Sequence, residues 1–105
     1  MWFAFWAEDR PGRSAERIRW RTDHLSRLSA LLQEGRLLFA GPLLAWTTPE
    51  PRPESSVGSL IVADFETEEQ AQQWIQEDPY QRAGIFQSIR VHPYVVTYPP
   101  AGNGS

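Results

Sequence analysis

The chain has 105 residues, a net charge of −3 and no cysteine. That length supports one domain with one core, which buries somewhat over ~60% of the unfolded surface. The composition excludes disulfides and thiolate metal or redox sites, and the dispersed charges leave no basic block to match a nucleic acid backbone.

Residues 2–8 are an apolar and aromatic run closed by Asp9-Arg10-Pro11-Gly12. This predicts a strand covered on both faces and stopped by Pro11 and Gly12. Residues 14–35 read as a long helix. Ser14 is the expected N-cap, and Glu16 in the first turn suits the positive end of the dipole. Ile18, Arg21, Leu25, Leu28, Leu31 and Leu32 recur at helical spacing as one stripe. Gly35 stands where a helix ends in a left-handed residue. A second strand is expected over 36–44. Gly41-Pro42 disturbs it, and because proline cannot donate to a ladder this marks an edge or a bulge.

Residues 45–57 carry Pro49, Pro51 and Pro53 and read as a semi-rigid exposed loop. A third strand follows over 58–65. Thr67-Glu68-Glu69-Gln70 has the pattern of a capping box, opening a helix with Ala71, Trp74 and Ile75 on its apolar face. Asp78-Pro79 starts another short helical turn, with Pro79 in its first position. Residues 86–98 are the last strand, alternating Phe86, Ser88, Arg90, His92, Tyr94 and Val96 against Gln87, Ile89, Val91, Pro93 and Val95. The domain thus covers 1–98, and 99–105 read as a flexible tail. No apolar run is long enough to span a membrane and no basic leader precedes the first strand, so the default location is cytoplasmic.

The order β-α-β-β-α-β predicts an α+β, ferredoxin-like fold. It has a four-stranded antiparallel sheet with both helices on one face. The other face is then bare. The first strand is apolar on both sides, with Trp2, Ala4 and Trp6 opposite Phe3, Phe5 and Ala7. Leu37 and Phe39 against Leu38 and Ala40 repeat the pattern. Exposed patches of this kind are rare in monomers, so a two-fold homodimer through the open sheet face is expected. A shallow ligand groove, or shielding by the C-terminal tail, is the alternative.

His24, in Arg21-Thr22-Asp23-His24-Leu25, and Asp78, in Glu77-Asp78-Pro79-Tyr80, are the main candidates for chemistry. A histidine and a carboxylate are common parts of an acid/base site. His24 is either a boundary histidine packed on the core or a general acid/base whose ordinary pKa near ~6.5 suits neutral pH. Asp78 before Pro79 reads first as a helix N-cap. Its second oxygen remains available to orient a histidine. Asp9, at a strand end, is a turn residue or a minor acid/base candidate. Arg17 and Arg21 are either a solvated helix face, paired with Asp23 or Glu16, or in the case of Arg21 a clamp for a substrate carboxylate. Ser59 reads as a hydrogen-bonding wall, and Tyr80 as core packing or a polar handle in a pocket. His92 reads as an edge residue. No metal-ligand spacing and no phosphate-binding glycine loop is present, so neither a metal nor a cofactor is expected.

These stretches together resemble the YciI-like proteins of the YCII-related domain family. The likeness rests on Arg17 to Leu28 with its Arg21-x-x-His24-Leu25 core and on Glu34-Gly35-Arg36-Leu37-Leu38-Phe39-Ala40-Gly41-Pro42-Leu43. It also rests on Gly58-Ser59-Leu60-Ile61-Val62-Ala63 and on Asp78-Pro79-Tyr80 followed by Ala83-Gly84-Ile85-Phe86. The resemblance covers nearly all of residues 2–98. It implies a dimeric α+β barrel, a His24–Asp78 pair in a pocket and a lyase- or isomerase-like reaction on a small molecule. The 45–57 loop departs from the family in its proline content. The expected function is cofactor-free proton transfer on a small cyclic or unsaturated acid. The alternative is a non-catalytic dimeric module that binds a metabolite or a protein.

Overall fold

The computed structural model describes residues 1–100. The tail expected over 99–105 lies outside the described residues from 101 onward. The elements are β1 (Trp2–Asp9), α1 (Ser14–Gln33), β2 (Leu37–Leu44), β3 (Ser56–Asp64), α2 (Glu68–Gln76), α3 (Pro79–Arg82) and β4 (Phe86–Tyr94). A short 3₁₀ turn over Pro53–Ser55 interrupts the proline-rich loop. The strands pair in the order β2-β3-β1-β4, all antiparallel. This is the ferredoxin-like arrangement expected from the element order, with the most apolar strand, β1, in the interior of the sheet.

The pleat of β1 separates two environments. Phe3, Phe5 and Ala7 are buried beneath the helices, while Trp2, Ala4 and Trp6 face the other way. Phe5 packs edge-on to Phe65 and lies 5.4 Å from the Trp74 ring. Ile61, Ala71, Ile75 and Ile85 complete the core. β2 is an edge strand, as Gly41-Pro42 required. Its register shifts between Leu37 and Phe39. The shift turns Leu37 inward opposite Ala63 and sets Phe39 opposite Val62 on the open face. Leu37 and Phe39 therefore do not share a face, contrary to the plain alternation expected.

The helix ends follow local chemistry. Gly35 has φ +72°, its N–H donates to Leu32 O, and the N–H of Arg36 donates to Leu31 O. This pair of bonds closes a Schellman motif, which a residue without Cβ enters at no steric cost. Thr67 caps α2 by accepting from the N–H of Gln70, while Gln70 reaches back to the N–H of Glu66, one residue beyond the usual box. The start of α1 differs from expectation. Arg13 is the N-cap residue and makes no side-chain cap bond. The Ser14 hydroxyl instead donates to Pro53 O on the β2–β3 loop.

The buried line of α1 is also turned from the one predicted. Arg17, His24, Leu28 and Leu31 point inward, whereas Ile18 and Leu32 are 60% and 62% exposed. Ile18, Leu25 and Leu32 recur every seven residues and mimic a core stripe. The polar side chains win the inner face because each finds a buried partner there. β4 ends at Tyr94, short of the predicted 98, and no helix among the described residues is long and apolar enough to cross a membrane.

Candidate functional site

His24 and Asp78, 54 positions apart in sequence, meet in the interior. α1 supplies the histidine one turn before Leu28. The α2–α3 junction supplies the carboxylate. Asp78 stands at the N-terminus of α3, where Pro79 occupies the first helical position and the Tyr80 N–H donates to Asp78 Oδ1 at 2.9 Å. Capping fixes the carboxylate without exhausting it. Both its oxygens lie 3.0 Å from His24 Nδ1, and Arg27 Nη1 donates to Oδ2 at 3.3 Å. Asp78 is 0% exposed. Three donors therefore converge on one fully buried carboxylate, which satisfies the rule that a buried charge must be matched.

The geometry sets the roles of the imidazole nitrogens. A carboxylate accepting at Nδ1 selects, for the neutral imidazole, the tautomer with its proton on Nδ1 and its lone pair on Nε2. Among the described residues every fully buried side-chain nitrogen or oxygen has a hydrogen-bond partner. Nε2 has no hydrogen-bond partner among the described residues, so it is the ring atom within reach of solvent. The Tyr80 ring stacks on the imidazole at 4.0 Å and 9°, and so fixes its plane. His24 and Tyr80 both line a cavity of about 590 Å³ between α1, the sheet and the proline-rich loop.

A second buried pair stands beside the first. Arg17 Nε and Nη2 donate to the two oxygens of Asp9 at 2.6 and 3.0 Å, and Nη2 also reaches Gly58 O and Ser59 Oγ at 3.0 and 3.1 Å. The guanidinium lies 4.9 Å from the centre of the Tyr80 ring. Arg17 is thus a buried tie between α1, β1 and β3, not a solvated residue paired with Asp23 or Glu16. The Tyr80 hydroxyl donates to Arg17 O at 3.4 Å and so serves the helix backbone. Burial raises the Tyr80 pKa above its usual value near 10, although the nearby Arg17 and Arg21 charges oppose the rise.

Of the other predicted site residues, Arg21 and Ser59 line the same cavity. Asp9 is absent from its lining and is turned to Arg17. His92 is exposed opposite Ala4, on the far face of the sheet. No group of three His, Asp or Glu positioned to hold a metal occurs among the described residues. Sequence reasoning missed Arg27, Arg52 and the buried role of Arg17. The available signal was spacing: Arg17 and Arg27 lie seven before and three after His24, close to its line on the helix. Arg52 gave none, because its place on the cavity wall comes from the fold of the loop.

The chain is 38% identical over 94 residues to Protein YciI of Escherichia coli O6:H1, covering 90% of this chain and 96% of that protein. It is 36% identical over 94 residues to an uncharacterized protein of Haemophilus influenzae, with the same coverage. Among solved structures it resembles 5-chloro-2-hydroxyhydroquinone dehydrochlorinase (TftG) from Burkholderia phenoliruptrix AC1100, in complex with 2,5-dihydroxybenzoquinone. The TM-score is 0.81 at 26% identity, covering 90% of this chain and 94% of that one. The family model described as the YCII-related domain matches residues 1–95, and with these relatives it shows that the chain belongs to the YCII-related domain family.

Proposed function

We propose that the chain is a small enzyme that moves a proton with His24, held by Asp78, on a small cyclic or unsaturated acid. The observation that carries this reading is the division of the imidazole: Nδ1 bound by both oxygens of a buried carboxylate, Nε2 left for the cavity. Nε2 takes the proton from substrate carbon or oxygen, and Asp78 offsets the imidazolium charge that forms. Arg21 receives the substrate's negative charge, Ser59 forms part of the wall and Tyr80 backs the imidazole. Asp9 acts indirectly, by holding Arg17 against Ser59. The 26% identical TftG is a dehydrochlorinase. Dehydrochlorination is an elimination, a reaction in which a base removes a proton as the leaving group departs. The same division of labour suits isomerisation. No resident cofactor enters this scheme, and a cytoplasmic setting belongs to it.

The test is a panel of small unsaturated acids and hydroxyquinones, headed by 2,5-dihydroxybenzoquinone. Binding is read by NMR, and proton transfer by deuterium incorporation or loss of a leaving group. Positioned proton transfer supplies a factor of ~10²–10⁴, so His24→Ala should lose about that much turnover while keeping its fold. Normal turnover by His24→Ala would remove the assignment. Binding of the panel without any proton transfer would favour a non-catalytic binding module.

The open sheet face supports the second part of the proposal, a homodimer. Trp6 and Phe39 are 38% and 46% exposed there, and Tyr94, opposite Trp2 on β4, is 39% exposed. Covering such a face with a second copy yields ~25 cal/mol per Å² of apolar area. Sedimentation at micromolar concentration should give a dimer, and Phe39→Glu should shift it to monomer. A wild-type monomer under those conditions would overturn the assembly.

A further inference from the structure

The cavity beside His24 has an unusual charge for this chain. The protein carries a net −3, yet the cavity wall includes Arg17, Arg21 and Arg52 and no Asp or Glu. The sequence has ten arginines and no lysine, and the planar guanidinium fork matches carboxylates and related anions. Arg17 is neutralised by Asp9. Arg21 and Arg52 take part in none of the ion pairs found among the described residues.

The two unmatched charges come from different elements. Arg21 projects from α1. Arg52 sits in the proline-rich loop, whose main chain is held in place. The Arg52 N–H donates to Ser55 Oγ at 2.9 Å, and the Ser55 hydroxyl donates back to Arg52 O at 2.8 Å. Ser55 itself is buried, Ala45 N donates to Ser55 O, and Pro51 and Pro53 flank the arginine. The loop is a fixed lip of the cavity. Arg52 lines the cavity and also borders a smaller depression that Glu50 and Glu54 line, without an ion pair to either. Leu25, Leu28 and Ile61 form an apolar part of the wall, alongside the polar His24, Ser56, Ser59 and Tyr80.

We propose that the cavity selects a compact organic dianion. Its rigid apolar body lies against Leu25, Leu28 and Ile61, one acidic group is received by Arg21, and the other by Arg52. This deepens the proton-transfer reading, since it rests on the same cavity being the site that His24 serves. A monoanion would engage one guanidinium and leave the other unmatched. Charge-assisted hydrogen bonds are the strong ones, and a cavity lined by one sign of charge concentrates ligands of the other.

Calorimetric titration of the full chain with benzoate and with the three benzenedicarboxylates tests the proposal. The three isomers sample different separations of the acidic groups. At least one should bind about ten-fold or more tighter than benzoate, the effect of one added charged hydrogen bond. Arg21→Gln and Arg52→Gln should each remove that preference, whereas Arg52→Lys should keep the larger part. The preference should shrink as salt is raised from about 0.15 M to about 1 M. Equal affinity for benzoate and all three dicarboxylates, a preference that survives Arg52→Gln, equal loss in Arg52→Lys and Arg52→Gln, or no saturable binding of any probe would each overturn it. The His24→Ala variant separates the two readings. It should retain the dianion preference whatever the fate of proton transfer, and loss of turnover without any dianion preference would reject this inference alone.

Discussion

Asp9 and Asp78 are both nearly or fully buried carboxylates that face arginines of the same helix, yet they are used in opposite ways. The side chain of Asp9 is 6% exposed and gives both oxygens to one guanidinium. That fork-to-fork match is self-contained, and its product is a fixed junction of α1 with the sheet. Asp78 is divided among a helix cap, Arg27 and His24. Arg27 contacts it at 3.3 Å, and its other nitrogen donates to Trp74 O. A carboxylate matched completely by arginine has nothing left for chemistry. One that is shared keeps the capacity to stabilise a charge that appears on its histidine.

The comparison is broken most severely at Asp9. Asp9→Ala strands a buried guanidinium and should cost about 3–5 kcal/mol in urea unfolding. Replacing the pair together, Asp9→Leu with Arg17→Met, should recover much of that loss, because the uncompensated charge is gone. Asp78→Ala should cost less in stability, about 2–3 kcal/mol, because the cap is lost and the buried His24 N–H loses its partner while the partly exposed Arg27 can turn to solvent. Exchange of the His24 Nδ1 proton, followed by NMR, should become faster. Asp78→Asn keeps an acceptor for the Tyr80 N–H and should fold, while losing proton transfer by about 10² or more. If Asp9→Asn lowered turnover as much as Asp78→Asn without unfolding, the contrast between the two sites would fail.

Arg27→Gln sharpens the same contrast at smaller scale. It should cost about 1 kcal/mol and should alter the imidazole nitrogen shifts of His24 without moving those of His92. Unchanged His24 shifts would show that Arg27 serves only the Trp74 carbonyl and ring. The smallest effect belongs to Tyr80→Phe, under about 1 kcal/mol near neutral pH because the hydroxyl bond is long. The pH dependence has a definite sign. Burial raises the Tyr80 pKa, so the neutral phenol is the form the fold prefers. The stability tied to Tyr80 is complete below the ordinary value near ~10 and is lost as pH rises through the raised one. Denaturation midpoints at pH 8 and pH 11 should therefore converge in Tyr80→Phe relative to wild type.

Much of the architecture was legible from the chain alone. The twofold alternation of β1, the Gly35 terminus, the Thr67 cap and the Asp78-Pro79 turn are local signals that the tertiary structure did not override. The face of α1 was misread because Ile18, Leu25 and Leu32 carry apolar side chains at the right period, while the inner line carries Arg17 and His24. Hydropathy does not encode that Asp9 and Asp78 wait across the gap. The register shift in β2 was equally silent, since the strand is apolar on either side of it. At the site, His24 and Asp78 were singled out by residue type and by resemblance. Arg27 and Arg52 depended on where a helix face and a loop finally lie.

Gly58 draws one further consequence from the packing of the two central strands. It stands opposite Glu8 in the ladder, and a Cβ there would collide with the carbonyl oxygen of Ala7. Its own carbonyl accepts from Arg17. A slip of β3 by two residues would bring Ser56 or Leu60 to this spot, and both carry the atom that does not fit. The glycine therefore acts as a key that admits one alignment of β1 and β3. The wall residue Ser59 and the buried arginine inherit their positions from that alignment.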